Sequence, residues 1–120
     1  MANFHELSGF INLSDGTIAQ VKYAKIDAAG SGDNTLVAAV ASKKIRVISL
    51  YYLAAGTVSV RFESGASGTA LTGQAEHTAQ TGAVLNRNPD GWFETVAGDL
   101  LNMELSGAIS VDGALSYIEV

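Results

Sequence analysis

The chain has 120 residues, of which 48% are hydrophobic and 16% charged, with a formal net charge of −5 and no cysteine. That length suits one domain able to bury a core unaided, and the lack of cysteine removes disulfides and thiolate metal sites. Seven basic residues face twelve acidic ones, scattered except for Lys43, Lys44 and Arg46, which excludes a basic nucleic-acid-binding face; those three read as the solvated start of a strand.

No segment approaches the roughly 18 uninterrupted apolar residues that span a bilayer, and Met1 to Glu6 lacks the basic segment and apolar run of a signal peptide. The expectation is a soluble protein, not secreted by the usual route, with neither membrane nor nucleic acid as a partner. Its charged fraction is below the usual quarter, so much of its surface is Ser, Thr, Asn, Gly and Ala, a surface suited to packing against protein.

In chain order, residues 1–16 carry Phe4, Leu7, Phe10, Ile11 and Leu13 at irregular spacing and end in the turn signal Ser14-Asp15-Gly16. They read as an N-terminal arm that pairs with a neighbour or covers a sandwich edge, with a first short strand as the alternative. From Thr17 to Ile26, Ile18, Val21, Tyr23 and Ile26 form a strand pattern with one break in phase, the mark of a β-bulge. Asp27 to Asn34 reads as a polar loop, and Leu36 to Val40 as a short strand.

Lys44 to Ala54 is the strongest strand pattern, apolar on both faces through Ile45, Val47, Ile48, Leu50, Tyr51, Tyr52 and Leu53. One face belongs to a core and the other meets another segment or another subunit. Ala55-Gly56 then predicts a hairpin turn into Thr57 to Glu63, where Val58, Val60 and Phe62 alternate with polar residues. Ser64 to Gly73 reads as a loop with one short edge strand, Gln74 to Gln80 as polar, and Ala83 to Leu85 as a strand. Pro89-Asp90-Gly91 is a turn because proline pre-sets φ while Asp and Gly tolerate turn conformations. Trp92 to Val96 is an aromatic strand, and residues 101–106 and 109–120 close the domain with two alternating strands. The fold class is all-β: an antiparallel, jelly-roll-like β-sandwich of about eight short strands over residues 17–120, preceded by the arm. No second domain, stalk or anchor is expected.

Catalytic chemistry finds little support. His5 and His77 cannot build a multi-histidine metal site within one chain. Ser67 in Gly65-Ala66-Ser67-Gly68 is one residue short of a nucleophile elbow, and no spacing singles out a glycosidase pair among the carboxylates. Asp27, Asp33 and Asn34 do not match a calcium-loop framework. Glu94 beside Trp92 and Phe93 suggests a sugar-stacking surface, against the plainer reading that Phe93 is core and Trp92 covers a sheet edge. No catalytic residue, metal ligand or cofactor is assigned.

The block from Asp27 to Val40 with Lys43-Lys44-Ile45-Arg46-Val47, and the block from Asn88 to Asn102 with its closing strands, resemble small structural proteins of tailed bacteriophages. The resemblance spans roughly residues 17–120 and is closest in pattern to capsid decoration, or cement, proteins. It implies a non-enzymatic protein made in the host cytoplasm and placed on the capsid exterior of the virion, which binds the major capsid protein as a homo-oligomer, typically a trimer. Phe4, Phe10, Ile11, Tyr51 and Tyr52 are the expected contacts at subunit or capsid interfaces. The alternative is a tail or fibre receptor-binding module using Trp92, Tyr51 or Tyr52 to stack on glycans.

Overall fold

Ile45, Val47, Leu50, Tyr52 and Ala54 all enter one core, and what they meet there is Val58, Val60, Phe62, Leu101, Met103 and Leu105 from a second layer. The computed structural model describes residues 9–120, which form twelve antiparallel strands and no helix. In order these are β1 (Phe10–Asn12), β2 (Ile18–Gln20), β3 (Lys22–Ala28), β4 (Gly32–Val37), β5 (Ile45–Ala54), β6 (Val58–Ser64), β7 (Thr69–Ala70), β8 (Ala75–His77), β9 (Thr81–Leu85), β10 (Phe93–Glu94), β11 (Leu101–Leu105) and β12 (Val111–Glu119).

One sheet runs β3-β12-β5, with β9 and β10 both pairing along the far edge of β5. The other runs β4-β11-β6, with β7 and β8 along β6. If β7 with β8 and β9 with β10 are each taken as one interrupted strand, eight strands remain from β3 to β12. The first, eighth, third and sixth then share one sheet, and the second, seventh, fourth and fifth share the other. That order is a jelly roll, two sheets facing each other across one core. The expected sandwich is therefore present, but the count of eight is corrected to twelve: two strands are interrupted, and β1 and β2 add a hairpin.

The Ala55-Gly56 turn does not make a hairpin. β5 pairs with β12 and β6 with β11, so the turn carries the chain from one sheet to the other. Both strands turn their apolar residues to a shared core whether they are hydrogen-bonded or stacked, so alternation alone does not separate the two arrangements. Two further boundaries move. β4 covers Gly32–Val37, with Asp27 and Ala28 already in β3, and the polar stretch at residues 74–80 contains β8.

The single bulged strand expected from Thr17 to Ile26 is instead two strands, β2 paired with β1 and β3 paired with β12, and the phase break near residue 21 is the junction between them. Ala19 and Val21 are buried, then Lys22 and Tyr23 are both exposed, and burial resumes at Ile26 and Ala28. A second irregularity lies in β5, where Ser116 pairs with Ser49 but Tyr117 pairs with Val47, leaving Ile48 as the extra residue. Ile48 lies on the outer side of the sheet, away from the main core. There, with Ile118, it is fully buried beneath Ile11, Ala19 and Val21 of the β1–β2 segment. The described part of the arm thus folds back as a hairpin and covers one end of the sheet's outer face.

Replacing Ile48 by Ala removes most of the side chain that seats this hairpin, and should cost about 2–5 kcal/mol. Hydrogen exchange should then speed up at the Val21 amide, which donates to the Gly9 carbonyl at 2.6 Å, and at the Leu13 amide, which donates to the Thr17 carbonyl at 2.8 Å. Unchanged protection at both amides would mean that the hairpin is held by something other than Ile48.

Candidate functional site

The two sheets differ on the sides that face away from the core. On the β4-β11-β6 sheet, alternation sends Arg61 and Glu63 of β6, Asn102 and Glu104 of β11, and Asp33 of β4 outward, in register with one another. Glu63 is nevertheless only 1% exposed. Its carboxylate accepts from Arg61 at 2.5 and 3.0 Å and from Asn102 Nδ2 at 3.0 Å. Asn102 Nδ2 also donates to Asp33 at 2.8 Å, and its Oδ1 accepts from the Asn34 backbone N–H at 2.8 Å. Arg61 reaches Glu104 at 3.1 Å.

Carboxylate oxygens of Asp33, Glu63 and Glu104 lie within 4.8 Å of one another, close enough in principle to surround a cation. The Arg61 guanidinium and the Asn102 amide already serve these carboxylates, so the arrangement is a self-satisfied polar layer that ties three strands together. Consistent with this, the Asn102 hydrogen bond holds the Asp33 carboxyl below its ordinary pKa, and the Glu63 hydrogen bond raises that of Arg61. Among the described residues, no buried side-chain nitrogen or oxygen lacks a partner.

Residues weighed for chemistry are dispersed. Asp27 sits on the other sheet within 3.8 Å of Lys25, and the Asn34 amide closes its own turn onto Gly30 and Gly32, so Asp27, Asp33 and Asn34 do not converge. Ser67 adopts φ +48° and donates its hydroxyl to Asp33 at 3.1 Å. His77 instead bonds the Tyr52 hydroxyl at 2.9 Å and approaches Thr81 Oγ1 at 3.3 Å. Burial pushes the Glu94 carboxyl up, but Arg46 at 2.7 Å and Lys44 at 3.2 Å outweigh it and leave the pKa below its usual value. Phe93 packs on the core, and Trp92 donates its indole N–H to the Asn86 carbonyl at 2.8 Å, leaving the ring partly exposed.

The outer side of the β3-β12-β5-β9 sheet is of another kind. Register places Lys25, Ala114, Tyr51 and Val84 in one row across four strands. Beside it lie a row of Asp27, Asp112, Leu53 and Gly82, and a row running from Tyr23 over Ser116 to Ser49. Tyr23, Tyr51, Leu53 and Val84 are all exposed. Between the tyrosines runs an open trough of about 370 Å³, bordered by Asn86 and Arg87. On its floor the hydroxyls of Ser49 and Ser116 bond each other at 2.5 Å. The hairpin closes one end of this face, with Phe10 and Ile18 exposed on its outer surface.

Of the expected contact residues, Phe10 and Tyr51 are therefore exposed on this side of the molecule. Ile11 and Tyr52 are buried in the chain's own cores, Ile11 beneath the hairpin and Tyr52 against Phe62, so their side chains are unavailable to a partner as the fold stands. Phe4, like His5, lies outside the described residues. The sequence reading missed the Glu63–Asn102 layer. Its only signal was the alternation of Arg61 with Glu63 and of Asn102 with Glu104, which aligns polar groups only once β6 and β11 are known to pair.

Comparison of the chain with protein-family models, with curated proteins and with solved structures finds no match.

Replacing Asn102 by Leu should destabilise the protein by about 2–4 kcal/mol, since it strands the Asn34 N–H and removes a donor from a buried carboxylate; chemical denaturation measures this. Because the folded-state pKa values of Asp33 and Glu94 are depressed, the stability they contribute is present above the ordinary carboxylate pKa and is lost as pH falls through the depressed values. The melting temperature should therefore drop on acidification below about pH 4, and less steeply in an Asp33→Asn variant.

Proposed function

We propose that the protein is a bacteriophage capsid decoration protein: a non-catalytic jelly roll that attaches to the major capsid protein on the outside of the virion and works as a homo-oligomer after synthesis in the host cytoplasm. The observation that carries this reading is the asymmetry of the two outer sheet faces. One is a closed polar layer. The other, with its hairpin, gathers Phe10, Ile18, Tyr23, Tyr51, Leu53 and Val84 as exposed apolar side chains, the kind of patch that marks a protein-contact surface. The carboxylates that do converge are matched by Arg61 and Asn102, which supports a structural part over a catalytic one.

In this reading the hairpin, led by Phe10, grips the shell, and the Tyr51 face serves contacts between subunits. Many weak contacts repeated over a capsid reinforce it through avidity. The tail or fibre alternative, a glycan-binding module, draws on the trough between Tyr23 and Tyr51, where aromatic rings stand beside Asn86 and Arg87.

Co-sedimentation of the purified protein with empty shells of the phage that encodes it tests the proposal. The parent protein should pellet with the shells, and a Phe10→Ala/Ile18→Ala variant should lose most of that binding while keeping its melting temperature within a few degrees. Failure of the parent to pellet, together with a positive glycan array, would move the assignment to the receptor-binding alternative.

A further inference from the structure

The exposed apolar face is central and electrically balanced. Tyr23 is 76% exposed, Val84 71%, Tyr51 55% and Leu53 52%, although all four stand on strands of the sheet rather than on loop tips. Around them are two cations, Lys25 and Arg87, and two anions, Asp27 and Asp112, so the face is neutral on a chain whose net charge is −5. The excess negative charge lies elsewhere, which is what a surface that meets its own copy requires, since like charges brought face to face would repel.

Lys25 already stands within 3.8 Å of Asp27, and the remaining charges, Arg87 and Asp112, are segregated. Arg87 follows Asn86 at the hairpin end of β9, whereas Asp27 and Asp112 occupy the far row beside Leu53. A two-fold axis lying in the plane of the face and passing near Tyr51 carries each end over the opposite end of a second copy. Arg87 then stands over Asp112 of the second copy, and Tyr51 packs against its own counterpart.

We infer that this face pairs with a second copy of the chain in an isologous, two-fold dimer. Such an interface uses the same patch on both subunits, whereas a closed trimer needs two different patches. The dimer is therefore distinct from the trimer that the phage resemblance implies, and it does not depend on shell binding. Three rows across four strands span roughly 15 Å in each direction, well below the ~800 Å² per partner of a standard interface. Association is accordingly weak and concentration-dependent.

Sedimentation equilibrium over a range of concentrations tests this. The parent protein should shift from monomer to dimer as concentration rises, and the dimer should weaken with added salt. Arg87 and Asp112 are both exposed, so reversing their charges leaves the core untouched. Arg87→Glu should weaken dimerisation by about tenfold or more, and Asp112→Arg likewise. The double variant carrying both reversals should recover the parental constant, because the two-fold axis restores opposite charges across the interface. A parent that stays monomeric up to about millimolar concentration, a trimer, or Arg87→Glu dimerising as tightly as the parent would overturn the inference. Shell binding without dimerisation would overturn this pairing and leave the decoration reading standing.

Discussion

Most of this structure depends on β5 being apolar on both sides and then breaking its own alternation once. With strict period two the inward side begun by Ile45 and Val47 would continue through Ser49, Tyr51 and Leu53, and Leu50, Tyr52 and Ala54 would turn out of the core. The bulge opposite Ser116 and Tyr117 instead keeps Val47 and Leu50 both inward, with Ile48 on the outer side between them. One extra residue thus separates two hydrophobic clusters: the sandwich core between the sheets and a smaller one under the hairpin. Ile48 and Ile118 together give the hairpin its apolar seat.

The same strand sets the character of the outer face. At its first half β5 is covered twice, by the opposite sheet and by the hairpin. At its second half it is covered once, so Tyr51 and Leu53 stand in solvent. The opposite sheet handles its outer side in another way, by pairing the side chains of Asp33, Arg61, Glu63, Asn102 and Glu104 with one another across β4, β11 and β6. The loop after β6 contributes through the Ser67 N–H and hydroxyl, which both reach Asp33. A buried carboxylate such as Glu63 is tolerable only because its oxygens are fully served. One side of the sandwich is therefore finished, and the other presents apolar surface.

Much of this was legible in the residues. Alternation located β5, β6, β9, β11 and β12, the double-sided apolarity of residues 45–53 foretold a second covering layer, and the phase break near Val21 was visible as a pattern. Pro89-Asp90-Gly91 turns as expected, with Gly91 at φ +85° and its N–H donating to the Asn88 carbonyl at 2.9 Å. What was not legible is which strands bond and which stack. Ala55-Gly56 has the residues of a hairpin turn and joins two alternating strands, but the partners of β5 and β6 come from residues 111–119 and 101–105, far away in sequence. The burial of Ile11 and Tyr52 and the convergence of Glu63 with Asn102 follow from those distant pairings, so no local pattern announces them.

The jelly-roll order also bears on how the chain is made. β12 lies between β3 and β5, so the sheet that contains the earliest of the eight strands is completed only by the latest of them. While the chain is being synthesised, β3 and β5 have no common neighbour until residues 111–119 have left the ribosome. Until then β5 can pair with β9 and β10, but β3 has no partner in the sheet. Folding of this domain is therefore an event that follows translation of nearly all of it, and β3, whose sheet partner is β12, is the strand that waits longest for its pairing.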